Sequence, residues 1–250
     1  MTDRPEDDDD SLEITLRPAA EVAARLVALA TVVRRAALEL DPSGDAEGER
    51  FDMAAWLREE HVTPLLTADE RRLIETRVGG LAQDIAEDAS WRIESVAVLA
   101  WAAGLNDELP TYELPSPPAG ILALIPEPWD KVQPFRAEIE LRGEEEVAAA
   151  REQAELWQWR GQLLAGPDGD ALPATPEMRQ IIREVAADSA RAGLFERSLS
   201  NDFPVAGRPY RNLTEDERAL LTDLASERLR ALNWLCGFGS SWDDAPTDIE

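Results

Sequence analysis

Cysteine, histidine and lysine are almost absent from this sequence, and each scarcity excludes a class of chemistry. The single cysteine, Cys236, rules out an intramolecular disulfide and a cysteine zinc site. The single histidine, His61, can form neither a histidine metal site nor a catalytic triad. Lys131 is the only lysine, which excludes Schiff-base and P-loop chemistry almost everywhere. The motifs H-E-x-x-H, G-x-S-x-G and G-x-G-x-x-G are missing too. We predict no cofactor, identify no catalytic residue, and favour a non-enzymatic role.

Long hydrophobic runs are also missing. No window approaches the roughly eighteen apolar residues of a membrane span. The chain begins MTDRPEDDDD, which is acidic where a secretory signal is basic and then apolar. The sequence therefore predicts a cytoplasmic location and no membrane partner. Residues 1–11 lack apolar anchors and are expected to form a disordered acidic leader.

Basic charge is scarce relative to acidic charge. The 25 basic and 51 acidic side chains give a formal net charge of −26. Such a field repels phosphate backbones and anionic membrane surfaces, so nucleic-acid binding is not expected. The negative charge favours a basic protein partner. The alternative explanation is that it serves only to keep the protein soluble.

The remaining pattern is helical. Apolar residues recur at helical spacing over about 18–40, 50–61, 81–105, 143–164 and 177–193. The sequences TADE at 67–70 and TEDE at 214–217 are capping boxes, and each predicts a further helix, the second ending near Cys236. Strand-like alternation occurs only at 12–16 and 139–141.

Seven prolines between residues 106 and 136 exclude long helices there. Apolar residues such as Trp129 and Phe135 require burial, so this region is predicted to be a packed connector with one short helix near 120–125. The predicted fold is all-α: a single bundle-like multi-helix domain over 12–250, with at most a minor β-ribbon.

Polar residues interrupt several stretches that otherwise have the composition of a core. A buried charge is tolerated only when it is paired and hydrogen-bonded. We favour a structural network, with Arg92 or Arg160 paired to Glu94 and Asp243 and with Asn233 capping backbone groups. The alternative is a pocket that holds an anionic or amide-bearing ligand between tryptophans. The candidate binding or structural residues are Arg92, Glu94, Trp157, Arg160, Asn233, Trp242 and Asp243.

Three aspartates near the C-terminus, Asp243, Asp244 and Asp248, are weak candidates for a hard cation such as magnesium or calcium. The stretch lacks the alternating acidic ligands and the glycine of a calcium loop. With 51 acidic residues in the chain, three in one segment are expected by chance. We predict no metal site.

The segments SWRIESVAVLAWAAGL, LWQWRG, NDFPVAGRPY, LTEDE and ERLRALNWLCG, with the final WDDAPTD, resemble the bacterial family called domain of unknown function 4272. The resemblance extends from about Leu16 to the end. It implies one mostly helical domain and assigns no reaction. The resemblance implies two differences from many members of that family. They carry histidine and tyrosine where this chain has Leu229 and Arg230, and they carry histidine where it has Gln158. If those histidines were catalytic, this chain would lack them.

Three functional hypotheses follow. The first is a non-catalytic acidic interaction protein, similar to an immunity protein or antitoxin, that masks a basic partner such as a nuclease toxin. The second is a small-ligand binding protein or enzyme, with arginine, glutamate, asparagine and aspartate in a pocket walled by tryptophans. The third is a purely structural scaffold. The sequence leaves the oligomeric state open.

Overall fold

The computed structural model describes residues 14–42, 44–163, 174–195 and 198–248. The expected acidic leader, residues 1–11, lies outside these ranges. Within them, ten α-helices follow one another along the chain. They are α1 (Ala19–Leu40), α2 (Ala46–Glu59), α3 (Ala68–Glu75), α4 (Gln83–Ser90), α5 (Arg92–Ala102), α6 (Pro118–Leu122), α7 (Val132–Glu138), α8 (Glu144–Gln162), α9 (Pro176–Arg191) and α10 (Glu215–Leu235). The all-α prediction is confirmed.

Side-chain caps begin the helices where the sequence predicted them. Thr67 and Thr214 accept hydrogen bonds from the backbone N–H groups of Glu70 and Glu217, and those glutamates accept from the threonine N–H groups in return. Both capping boxes are therefore complete. Thr175 caps α9 with a single hydrogen bond, accepted from Met178 N, and proline occupies the first helical position.

The core is built around α1 and α5, which are buried on nearly every face, and around the second half of α10. Residues 22–33 of α1 and residues 93–102 of α5 are buried without interruption. α1 packs against α3, α4, α5 and α7, while α10 packs against α5 and α8. At the α8–α10 contact a side chain on Gly161 would lie 2.5 Å from Thr222 Oγ1, so glycine permits this close approach. No helix in the described ranges is long and apolar enough to cross a membrane.

The segment 81–105, which has helical periodicity throughout, contains two helices, and the second, α5, is buried. The backbone tightens at Trp91, where i to i+3 hydrogen bonds join Trp91 N to Asp88 O and Glu94 N to Trp91 O. α4 buries only Ala86 and Ala89, whereas α5 is buried all round. At this break the chain passes from a helix on the surface, α4, into a helix in the core, α5.

The proline-rich connector holds two short helices rather than one. α6 lies close to the expected position, but α7 was not predicted. Pro134 falls in the first turn of α7, where a missing N–H costs nothing. Ile121 and Ile125 are buried as expected. Trp129 is not: it is 54% exposed and has a left-handed backbone, with φ of 79°.

The two segments with strand-like alternation, 12–16 and 139–141, do not supply the minor ribbon. Residues 139–141 and the described part of 12–16 form no strand. The ribbon found in the described ranges pairs β1 (Pro204–Val205) with β2 (Arg208–Pro209), antiparallel. Ala206 and Gly207 join them with φ of 46° and 74°, the left-handed pair that favours a two-residue hairpin.

Candidate functional site

Glu94 is the centre of a buried polar network, but its partner is not one of the arginines expected from the sequence. Its side chain is 0% exposed and accepts from Arg228 Nε (3.0 Å) and Nη2 (2.7 Å). It also accepts from Ser116 N (2.7 Å) and Oγ (2.8 Å). Arg228 donates further to the carbonyls of Pro110 and Thr111. The network therefore ties the proline-rich connector to α5 and α10.

Arg92 pairs with Glu227, one residue before Arg228 on α10. Glu227 also accepts a hydrogen bond of 3.0 Å from Ser95 Oγ on α5. The two helices are thus joined by two adjacent ion pairs, and neither pair includes Asp243.

Arg160 forms a third ion pair elsewhere. Its Nε and Nη2 donate to the two carboxylate oxygens of Asp202, at 2.8 and 3.0 Å, and both side chains are 1% exposed. The backbone N–H groups of Phe203 and Arg211 complete the acceptor capacity of Asp202. Trp157, on the same helix, stacks on Tyr112 at 5.5 Å and meets Phe203 edge-on. These contacts make Trp157 part of an aromatic core.

Asn233 folds the C-terminal tail back onto α10. Its Nδ2 donates to Pro246 O at 2.8 Å, while its Oδ1 accepts from Arg151 Nε at 2.6 Å. Trp242 packs edge-on against Trp234 at 5.7 Å, and the guanidinium of Arg25 lies 4.3 Å from the Trp242 ring centroid. The tail does return to the helices as expected, but it meets α1 rather than Arg92 or Arg160.

The candidate residues therefore do not form one constellation. Arg92, Glu94 and Arg160 are paired with residues other than the partners expected, whereas Asn233 does bind a backbone group, the carbonyl of Pro246. The physical reason is that acidic and polar residues are abundant in this chain, so each buried arginine has a partner beside it in the folded structure. Trp242 and Asp243 together line one cavity that also holds uncommitted polar groups.

That cavity, which we call the tail cleft, lies between the start of α1, the start of α3, α7 and residues 240–243. Its volume is about 460 Å³, within the range of small-molecule sites. Three arginines line it, together with three hydroxyl side chains, two carboxylates and two tryptophans. They are Arg17, Arg25, Arg136, Thr67, Ser240, Ser241, Glu21, Asp243, Trp234 and Trp242.

Two of the cleft arginines are committed to the fold. Arg17 donates to Glu21 and to the carbonyls of Trp234 and Gly239. Arg25 makes a bidentate pair with Glu70, and its Nε has no hydrogen-bond partner among the described residues. Burial lowers the pKa of Arg25, and the charge of Glu70 opposes that shift.

Arg136 and Asp243 are the uncommitted charges of the cleft. Arg136, half-buried on α7, makes one hydrogen bond within the described ranges, from Nε to Ala20 O at 3.3 Å. Both Nη groups remain available. Asp243 lies at the rim, and its pKa is raised by loss of hydration and by the charge of Glu70, with Arg25 opposing. The arrangement offers one cationic and one anionic group to a ligand.

The tail aspartates do not assemble into a cation site. Asp244 accepts from Ser240 and Ser241, and these hydrogen bonds lower its pKa. Within the part of the chain that the structure describes, no group of three or more histidine, cysteine or acidic side chains is placed to hold a metal ion. Cys236 is buried, and burial raises the pKa of its thiol to about 11, which disfavours nucleophilic chemistry.

Fold and geometry together define a mostly helical protein whose polar residues are divided between buried networks and open clefts. Residues 8–164, well over half of the chain, match the model of a protein family described as a domain of unknown function, DUF4272. The chain therefore belongs to the DUF4272 family. The match ends before α9, so the tail half of the cleft lies beyond it. Comparisons with curated proteins and with solved structures found no match.

Proposed function

We propose that this DUF4272 protein binds a small polar ligand carrying both a carboxylate and an amine, such as an amino acid or a short peptide, in the tail cleft. The observation that supports this most is Arg136. Its Nη groups form no hydrogen bond and no ion pair within the described ranges, although acidic residues outnumber basic ones twofold. A guanidinium with free donors is suited to a bidentate bond with a carboxylate.

The other wall of the cleft suits the amine. Asp243 makes no hydrogen bond to a described residue, and its neighbour Glu70 disfavours a second negative charge. A bound ammonium group relieves that repulsion. Leu65, Leu66 and the edges of Trp234 and Trp242 supply apolar surface for the rest of the ligand.

The experiment is calorimetric titration with matched ligand sets: each free amino acid, its amide, which lacks the carboxylate, and its deaminated acid, which lacks the amine. We expect at least one free amino acid to bind more tightly than both analogues. In Arg136→Gln the advantage over the amide should shrink by about tenfold or more, and in Asp243→Asn the advantage over the deaminated acid should shrink.

Arg58→Gln is the matched control. Arg58 also donates one Nε hydrogen bond to a backbone carbonyl, that of Ala54, and it lies outside the cleft. Its titrations should match those of the wild type. The proposal fails if no free amino acid or short peptide binds, or if Arg136→Gln and Arg58→Gln bind alike.

A second candidate function, masking of a basic protein partner, is favoured by an acidic edge formed by Asp107, Glu108, Glu140 and the three glutamates 144–146. Arg142 joins its two parts by donating to the carbonyls of Trp101, Asn106 and Asp107. The six acidic residues of the edge are exposed. Such a surface accelerates association with a positively charged partner.

Purified basic nucleases test this candidate. We expect an association rate that falls with salt and falls further when the glutamates 144–146 are changed to glutamine. The matched control, Glu177→Gln, Glu184→Gln and Asp188→Asn on α9, removes the same charge elsewhere and should change the rate less. Equal rates for the two triple variants, or no binding, would exclude the acidic edge as the docking surface.

A further inference from the structure

We propose a second binding site, specific for a phosphoryl group, in a pocket that we call the arginine pocket. It lies between α8, the first half of α9 and the segment 200–211, which contains the β-ribbon. Its volume is about 430 Å³, and it shares no residue with the tail cleft. Four arginines line it: Arg160, Arg179, Arg183 and Arg211. The one carboxylate in its lining is Asp202. The pocket therefore carries a net charge of about +3 in a chain of −26.

The carboxylate is already neutralised. Asp202 accepts from Arg160 Nε and Nη2 and from two backbone N–H groups, and its nearest remaining cation, Arg211 Nη1, stands 3.8 Å away. Arg211 Nη1 donates instead to Ser200 O at 2.9 Å. The Asp202 pair holds the wall of the pocket in place and leaves the other three positive charges without a balancing carboxylate in the lining.

The two arginines that α9 contributes to this pocket form no ion pair with another described residue of that helix. Arg179 and Arg183 are four residues apart, so they share a face, and neither has an aspartate or glutamate three or four positions away. Arg183 forms no ion pair within the described ranges. A like-charge pair at this spacing destabilises a helix. In the same helix Arg191 does have an acidic neighbour, Asp188.

The start of α9 and the turn at 199–202 add to the suitability of the arginine pocket for an anion. Arg179 lies one turn from the start of α9, where the helix dipole adds positive potential. Ser200 and Asn201 are both left-handed, with φ of 52° and 63°, in a turn closed by two hydrogen bonds between Leu199 and Asp202. This turn places Ser200 and Asn201 on the pocket wall.

A phosphoryl group is the ligand that fits this chemistry best. It carries close to two negative charges and three acceptor oxygens, and guanidinium groups bind it in bidentate fashion. The volume exceeds that of a phosphate ion, so an organic phosphomonoester fits as well as free phosphate does.

Calorimetry at constant ionic strength, with inorganic phosphate, glycerol phosphate and sulfate as probes, tests the proposal on the full chain. We expect phosphate-bearing probes to bind the wild type. Arg179→Gln combined with Arg183→Gln should weaken binding by about ten- to a hundredfold. Tighter binding of glycerol phosphate than of phosphate identifies an organic phosphomonoester, and the reverse order identifies the free ion.

The control is Arg191→Gln, on the same helix but outside the pocket, which should bind as the wild type does. Arg179 and Arg183 are both exposed, so the double variant is expected to fold, and circular dichroism checks this. The proposal is overturned if no probe binds the wild type, or if the double variant and Arg191→Gln bind equally. Loss of amino-acid binding in Arg136→Gln with phosphate binding intact separates this site from the tail cleft.

Discussion

Glu94 and Asp243 are both carboxylates near arginines, yet their surroundings differ in one decisive respect. Glu94 is fully buried and receives four hydrogen bonds, from Arg228 and Ser116. Asp243 stands exposed at the rim of the tail cleft with no hydrogen bond to a described residue. The carboxylate oxygens of Glu94 are all engaged in hydrogen bonds that hold the fold together, whereas those of Asp243 remain available to a ligand. A buried ion pair is therefore a poor indicator of function here, and an uncommitted charge is a better one.

The largest expected effect comes from breaking a committed network at Asp202. Asp202→Ala leaves Arg160 buried without a counter-charge and two backbone N–H groups without an acceptor. We expect a loss of roughly 3–5 kcal/mol in the free energy of unfolding, measured with urea. Asp188→Ala, which removes the carboxylate of an exposed pair with Arg191, should cost about 1 kcal/mol or less. Similar losses in both variants would show that the Asp202 network is not a principal support.

An intermediate effect on the free energy of unfolding is expected at Gly239, where the C-terminal tail turns. Gly239 has φ of 86°, and a Cβ there would lie 2.6 Å from Asp244 O. Gly239→Ala should therefore cost about 2–4 kcal/mol and disturb residues 240–243 of the cleft. Gly207→Ala meets nothing within 4 Å and should cost about 1–2 kcal/mol, from its left-handed backbone alone. Equal unfolding free energies for the two variants would contradict the close packing of the tail.

The smallest expected effect is a pH dependence of the contribution that Glu217 makes to the free energy of unfolding. Its hydrogen bonds from Arg208 and from Thr214 N lower its pKa to about 2. Because the folded-state pKa is depressed, the stabilisation is fully present above the ordinary value of 4.5 and is lost as the pH falls toward 2. The difference in unfolding free energy between wild type and Glu217→Gln should shrink over that interval. A constant difference would mean that the carboxylate charge plays no part.

Local features of this fold could be predicted from the sequence because they depend on neighbours along the chain. The capping boxes at Thr67 and Thr214 join residues three apart, and the periodic helices α1, α8 and α10 follow from their own patterns. α7 was missed because Pro134 reads as a helix breaker, although its place in the first turn makes it harmless.

The site could not be predicted to the same extent because its pairings join distant parts of the chain. Glu94 and Arg228 are 134 residues apart, and with 51 acidic residues no spacing rule selects the partner. Arg25 and Arg136 lie in ordinary helical surroundings, and only the folded structure shows that both line one cleft. Asp202 lies in NDFPVAGRPY, one of the segments that carry the family resemblance, but that resemblance assigns it no partner.

The most direct test of the difference between committed and uncommitted charges is the free energy of unfolding of Glu94→Gln and Arg136→Gln, measured side by side in urea. Glu94→Gln leaves Arg228 buried with no counter-charge, and we predict a loss of roughly 3–5 kcal/mol. Arg136→Gln removes a single backbone hydrogen bond and should stay within about 0.5 kcal/mol of the wild type. Comparable losses in the two variants would contradict the account, because Arg136 would then support the fold rather than remain available to a ligand.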